Sequence, residues 1–157
     1  MTTHKGDLGL TDSIARKDIR KDDKSIIALA HLDRLSAELG LARAQNPALS
    51  AQLEGIQLAL VELMGIISGS GKKFDGKYLA FLDSQITELK AVSVPFKHFI
   101  LPGSNTKEAV LHLARTSARL AETACVAAST PQAALAFINR LSLYLFMLAL
   151  EQAEKQS

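Results

Sequence analysis

The chain has 157 residues, of which 48% are hydrophobic, and 18 Lys and Arg against 16 Asp and Glu leave a net charge of +2. That length suits one domain with a sizeable core, and the hydrophobic share excludes disorder over most of it. So small a charge gives no argument for a nucleic-acid partner: Lys and Arg cluster only within residues 16–24, and the aromatic residues are few and scattered. The single cysteine, Cys125, cannot form an internal disulfide, and no Cys/His group has zinc spacing. The opening MTTHKGDLGL lacks a signal-peptide apolar core. The run Leu141 to Leu150 is too short to span a bilayer and reads as a core helix. A reducing cytoplasm, with no membrane contact, is the simplest location.

Residues 1–20 are rich in Thr, Gly, Asp and charge without sustained periodicity, so they read as an ordered loop or a frayed tail. From about Asp22 the pattern turns helical, with Ile26, Leu29, Ala30, Leu32 and Leu39 as an apolar stripe that ends near Gly40 to Asn46. A second helix follows Pro47, buries Leu53, Ile56, Leu60, Leu63, Met64 and Ile67, and ends in the loop Ser68-Gly69-Ser70-Gly71. A third, over about 75–91, carries Tyr78, Leu79, Leu82, Ile86 and Leu89. Only the brief 92–101 run is strand-like, and within it Phe99-Ile100-Leu101 forms an apolar hook that stops at Pro102-Gly103. Asn105 can cap a fourth helix, with Glu108 completing a capping box. A fifth begins at Thr130-Pro131, with Thr130 as cap, and runs to about residue 153. Five helices with mostly short connections predict an all-α, up-and-down bundle over 21–157, with 1–20 as a separate N-terminal loop.

Several segments carry chemistry. On the fourth helix Val110, Leu113, Ala114, Ser117, Leu120, Ala121 and Ala124 fall on one side. His112, Arg115, Thr116, Arg119, Glu122 and Thr123 fall on the other. Alone this is an ordinary amphipathic helix with a wet polar face. Beside an apolar hook, its two arginines one turn apart suit an anionic ligand held against an apolar one. Asn139 sits in an otherwise apolar helix and needs a partner, structural or ligand. The loop Thr3 to Thr11 is a weak phosphate-nest candidate. Gly71-Lys72-Lys73 is not a P-loop: the glycine spacing is one residue too long, no Ser or Thr follows Lys72, and no strand precedes it.

In order along the chain, these segments resemble the PduO-type ATP:cob(I)alamin (corrinoid) adenosyltransferases. FILPGSNTKEAVLHLARTSARLAE is similar to that family's F-I-L-P-G-G … L-H-x-A-R-T-x-x-R-R-A-E-R, and Thr3 to Thr11 to its T-K-T-G-D-x-G-x-T. Lys21-Asp22-Asp23 matches K-D-D, HLDRLSAELG matches V-D-E-L-N-S-x-x-G, and FINRLS matches Y-L-N-R-L-S-D. The resemblance implies a ferritin-like bundle that forms a homotrimer, with ATP near each subunit interface and Mg²⁺ assisting. It implies that Co(I) of cob(I)alamin attacks the 5′-carbon of ATP and expels triphosphate. Thr3, Lys5, Gly6, Thr11, Lys21, Glu122 and Asn139 would then contact ATP, and Arg115 and Arg119 would reach its triphosphate. Asp33 would pair with Arg115, and Phe99 would exclude the lower axial ligand of the corrinoid. A cobalamin-dependent mutase or dehydratase would receive the product.

The departures are specific. His4 stands for a family lysine, and Ser25, Ile27, Leu29 and Ala30 for Arg, Glu, Tyr and Gly. Arg34 and Ser36 replace Glu and Asn, Leu120 and Thr123 replace arginines, Leu143 replaces Asp, and Leu150 replaces the arginine of a final L-A-R. They keep a second reading open, a non-catalytic trimeric relative that binds corrinoid or nucleotide as carrier or regulator. A plain helical interaction module would explain the stripes but not the ordered series of segments.

Overall fold

A computed structural model of the chain describes residues 4–92 and 100–154. A 3₁₀ turn, His4–Leu8, leads into two short strands, β1 (Leu10–Thr11) and β2 (Ile19–Arg20). Five helices follow: α1 (Lys24–Gln45), α2 (Ser50–Ile67), α3 (Lys77–Val92), α4 (Thr106–Ala127) and α5 (Gln132–Glu154). The all-α bundle expected from periodicity is therefore present, with helix ends within a few residues of those predicted.

Local chemistry sets those ends. The Asp23 carboxylate accepts from the Ser25 amide at 2.9 Å and caps α1. Asn105 caps α4 by accepting from the Glu108 amide at 2.9 Å. Glu108 does not close a simple capping box. Its carboxylate reaches past the cap to the Gly103 and Ser104 amides, at 2.8 and 3.1 Å. Thr130 does not cap α5; its hydroxyl is buried and unpartnered, and α5 opens on amides bonded to the Pro131 carbonyl.

The N-terminal segment is more ordered than a loop. β1 and β2 pair antiparallel, Leu10 with Arg20 and Thr11 with Ile19. The unit docks on the end of α2, where the Ala15 amide donates to the Ser68 carbonyl at 2.9 Å. Gly69, at φ +97°, makes that approach possible. A Cβ built there would lie 2.3 Å from the Ala15 Cβ. The strand-like hook expected at 99–101 is coil at Ile100 and Leu101, while Phe99 lies outside the described residues.

α4 lies between α1 and α5, with α2 packed on α1 and α3 on α5. Its buried face is lined by small residues, Ala114, Ser117, Ala118, Ala121 and Ala124, which let two helices approach at once. Leu32, Leu35 and Leu39 of α1 and Phe137, Ile138, Leu141 and Leu145 of α5 fill the space, each contributing about 1.5–3 kcal/mol on full burial. The expected buried side of α4 is corrected here: Leu113 and Leu120 are 41% and 49% exposed, whereas His112 is buried. Phe74, Tyr78 and Phe137 form an aromatic cluster, with centroids 5.2–6.2 Å apart, that closes the α2–α3 end. The short apolar run expected in α5 extends over Gln132–Ala153, and Pro47–Ile67 is also long and apolar enough to cross a membrane. Half of the α5 stretch is buried inside the bundle, as a core helix requires, against 28% of the other.

Candidate functional site

α4 and α5 run antiparallel, since the Asn105 side-chain amide at the start of α4 donates to the Gln152 carbonyl near the end of α5. That orientation sets Arg115 beside Phe146 and Arg119 nearer Ser142 and Leu143. Together these five residues line a groove of about 290 Å³. The Arg119 side chain is exposed and has no hydrogen bond or ion pair among the described residues. Arg115 is held: its Nε donates to His112 Nδ1 at 3.1 Å, and its guanidinium lies 6.0 Å from the Phe146 ring centroid. Glu122, one turn beyond Arg119, is half-buried.

Asn139 was expected to be enclosed in an apolar helix. It is exposed, one turn before Ser142, whose hydroxyl donates to the Asn139 carbonyl at 3.0 Å. Its side chain is therefore on the surface one turn before the groove-lining Ser142 and Leu143, and does not itself line the groove. The expected Asp33–Arg115 ion pair does not form within the chain: Asp33 is exposed on α1 while Arg115 is taken by His112.

A second set of candidates sits in the N-terminal unit. Lys21 Nζ donates to the Gly6 carbonyl at 2.9 Å, and the Lys21 amide to the Gly9 carbonyl at 2.8 Å. Gly9, at φ +73°, turns the chain into β1, which holds Thr11 half-buried. Lys5 belongs to the 3₁₀ turn, but its side chain and all of Thr3 lie outside the described residues. None of the described N-terminal residues lines the α4–α5 groove.

At the start of α4, Gly103, Asn105, Thr106, Ala109, Val110 and Leu113 line a shallower recess of about 440 Å³. Leu101, 81% exposed, adds apolar surface to the same segment. Between recess and groove lies a buried polar pair absent from the sequence reading. His112 Nε2 approaches Glu108 Oε1 to 3.0 Å, off the line of a good ring N–H bond, and neither atom has another partner. Burial is the main cause that holds the His112 pKa below its ordinary value, with Arg115 acting in the same direction and Glu108 opposing. The i, i+4 and i+7 spacing of Glu108, His112 and Arg115 was visible in the sequence; the burial of Glu108 and His112 was not. Among the described residues no group of three or more His, Cys, Asp or Glu could hold a metal.

The cobalamin adenosyltransferase family model matches residues 1–152, nearly the whole chain. The chain belongs to this family. Among relatives in the cobalamin adenosyltransferase family, it is 33% identical over 161 residues to a corrinoid adenosyltransferase of Bacillus subtilis, covering 94% of this chain and 83% of that one. It is 32% identical over 160 residues to the corrinoid adenosyltransferase PduO of Citrobacter freundii, and there it spans about half, 48%, of the relative's length. In three dimensions the chain is similar to a variant PduO-type ATP:corrinoid adenosyltransferase from Lactobacillus reuteri complexed with ATP. That likeness has a TM-score of 0.89 and 30% identity, covering 99% of this chain and 95% of that one. A second variant of the same enzyme, complexed with cobalamin and ATP, gives a TM-score of 0.89 at 28% identity, covering 99% and 92%.

Proposed function

We infer that this chain transfers the 5′-deoxyadenosyl group of ATP to the Co(I) centre of a reduced corrinoid, forming the adenosylated corrinoid and triphosphate. The observation that carries this reading is the groove itself: an unpartnered Arg119 and a fixed Arg115 face it, in a chain of this family, with the exposed Asn139 one turn before its Ser142 and Leu143. In the reaction the cobalt electron pair forms the Co–C5′ bond as the C5′–O bond breaks, and that bond's electrons leave on the triphosphate. Charge therefore grows on the leaving group. Arg119 supplies a preorganised cation there, and Arg115 a second one whose orientation is set by His112. Lys21, Gly6 and Thr11, with Thr3 and Lys5, form the second phosphate-binding element. Mg²⁺ is typically held by substrate phosphates and one or two carboxylates rather than a protein cage, which suits a donor set with no dedicated cluster; when bound it would neutralise triphosphate charge.

Within one chain the described residues of the N-terminal element do not line the groove. That separation supports a homotrimer in which a neighbouring subunit completes each ATP site, with Asp33 meeting the partner's arginine helix rather than its own. Leu101, Val110 and Leu113 offer an apolar shelf for the corrinoid, next in sequence to Phe99. Co(I) is strongly reducing, so a reducing compartment such as the cytoplasm suits the substrate as well as the single thiol. The product would pass to a cobalamin-dependent enzyme. Mixing the protein with ATP and chemically reduced cob(I)alamin should give the adenosylcobalamin spectrum. Binding of either ligand without that product would favour the carrier reading, for which Leu143 in the groove wall is the supporting feature.

A further inference from the structure

We propose that Glu108 and His112 are positioning residues that tie the Gly103–Ser104 hook to Arg115 and hold its guanidinium at the mouth of the α4–α5 groove. The inference rests on the adenosyltransferase reading for its consequence in catalysis, but the linkage itself is a property of this chain. Glu108, 1% exposed by its side chain, divides its carboxylate between two neighbours. Oε2 accepts from the Gly103 and Ser104 amides, at 2.8 and 3.1 Å, and Oε1 lies 3.0 Å from His112 Nε2. On the far side of the ring, Nδ1 accepts from Arg115 Nε at 3.1 Å.

These contacts define the proton positions. Nδ1 can accept from an arginine only if it carries no proton, so the neutral ring must hold its proton on Nε2, facing the carboxylate. The Nε2 proton then faces the Glu108 carboxylate 3.0 Å away, an electrostatic attraction off the line of a good ring N–H bond, while Nδ1 makes the ring's aligned hydrogen bond, to Arg115. The carboxylate is thus the group that orients the ring, and the ring is the group that orients the arginine. With Nε engaged, both Nη groups of Arg115 remain without a hydrogen bond among the described residues, next to the groove. The segment that follows Phe99 and the arginine of the nucleotide side are therefore joined by consecutive turns of one helix.

An amide at position 108 cannot reproduce this. If its oxygen faces the hook, its NH₂ faces His112, draws the ring proton to Nδ1 and turns that atom against Arg115. If its oxygen faces His112, its NH₂ meets two backbone N–H donors. At position 112 the isosteres separate the two contacts. Asn places an oxygen near the Nδ1 position and keeps the Arg115 bond, whereas Phe keeps the ring's shape and loses both contacts.

The test uses the full-length protein with three variants, Glu108→Gln, His112→Phe and His112→Asn, and two readouts. The first is the ¹⁵N spectrum of the histidine side chains, assigned by loss of the His112 signals. The wild type should show a neutral Nε2–H tautomer at His112, and Glu108→Gln should change it; an Nδ1–H or rapidly averaged ring in the wild type would overturn the proposal whether or not the protein is an adenosyltransferase. The second is steady-state kinetics. His112→Phe should raise the KM for ATP about tenfold, the scale of one lost charge-assisted hydrogen bond, and leave the KM for the corrinoid unchanged. His112→Asn should restore the ATP KM to within about threefold of wild type, and Glu108→Gln should raise both constants by about tenfold. In an Arg115→Ala background His112→Phe should have no further effect on ATP, since the ring acts only through that arginine. Equal losses in His112→Phe and His112→Asn, or effects that add to Arg115→Ala, would reduce the pair to a packing role. If Glu108→Gln does not fold, the two His112 variants and the wild-type spectrum still decide the matter. A wild type with the expected tautomer but no product would refute the enzymatic reading while leaving the linkage in place.

Discussion

Replacing Gly69 by Ala should detach the N-terminal unit from the end of α2. The residue sits at φ +97°, where an L side chain costs about 1–2 kcal/mol. The added Cβ would lie 2.3 Å from the Ala15 Cβ, more than 1 Å inside the ~3.5 Å at which carbons make favourable contact. Ala15 must then withdraw, and its 2.9 Å bond to the Ser68 carbonyl goes with it, at about 1 kcal/mol. The sum is about 2–3 kcal/mol, enough to shift a cooperative melt of a chain this size by about 4–12 °C. Besides the Ala15–Ser68 bond, Arg16 ties the unit to Asp23 and Ser25 at the exposed start of α1, so release at the α2 end is the expected response. Trypsin should then cut at Arg16, Lys17, Arg20 or Lys21 under conditions in which the wild type is resistant, and the KM for ATP should rise as Lys21 and Gly6 lose their placement. Adding Ala15→Gly removes the clash but not the backbone strain, so the double variant should recover about a third to a half of the loss. Wild-type trypsin resistance together with an ATP KM within twofold in Gly69→Ala would refute the docking argument.

Other expectations concern the site and the core. Arg119→Ala should lower kcat/KM for ATP by about 10²-fold or more, as for loss of one charged transition-state donor, with an unchanged helical circular dichroism spectrum because the side chain is exposed. An unaltered rate would remove Arg119 from the mechanism. Because His112 titrates below its ordinary 6.5 when folded, the unfolded chain binds more protons between that lowered value and 6.5. Stability should therefore fall as pH drops below about 6.5, and urea midpoints at pH 7.5 and 5.5 should differ less in His112→Asn than in wild type. The Asp23 carboxyl, held near 2 mainly by its hydrogen bond from Ser25, loses its contribution only below about pH 4 and does not overlap that window. Burial pushes the Cys125 thiol up to about 11, so a disulfide reagent at pH 8 should label the native protein only at the rate of opening, and one equivalent promptly in urea. Prompt labelling of the native state would contradict its burial.

Helix positions were legible because their signals are local. Asn105, Pro47 and the Ser68–Gly71 loop act on the few residues beside them, although Thr130, a signal of the same kind, does not cap α5. The pairing of Arg115 and Arg119 was legible for the same kind of reason: they are one turn apart on α4, and both line one groove in the fold. Phase and burial were not legible. Leu113 and Leu120 belong to an apolar stripe on paper, but α4 is clasped by both α1 and α5, and its inward arc is taken by Leu111, Ala114, Ser117, Ala118 and Ala121, which leaves Leu113 and Leu120 outside. Asn139 erred in the opposite sense, since an apolar helix still has one face that no neighbour covers.

By itself the sequence determined where helices start and stop, the order of the family segments, and which charged residues share a helix face. Those follow from interactions within a turn or two of chain. Only the tertiary structure decided that His112 is buried between Glu108 and Arg115, that Arg115 bonds His112 rather than the Asp33 of its own chain, and that the N-terminal unit rests on Gly69. These depend on which helices close over a given face and how near two backbones can come. Such distances between remote parts of the chain are set by packing, and no local pattern encodes them.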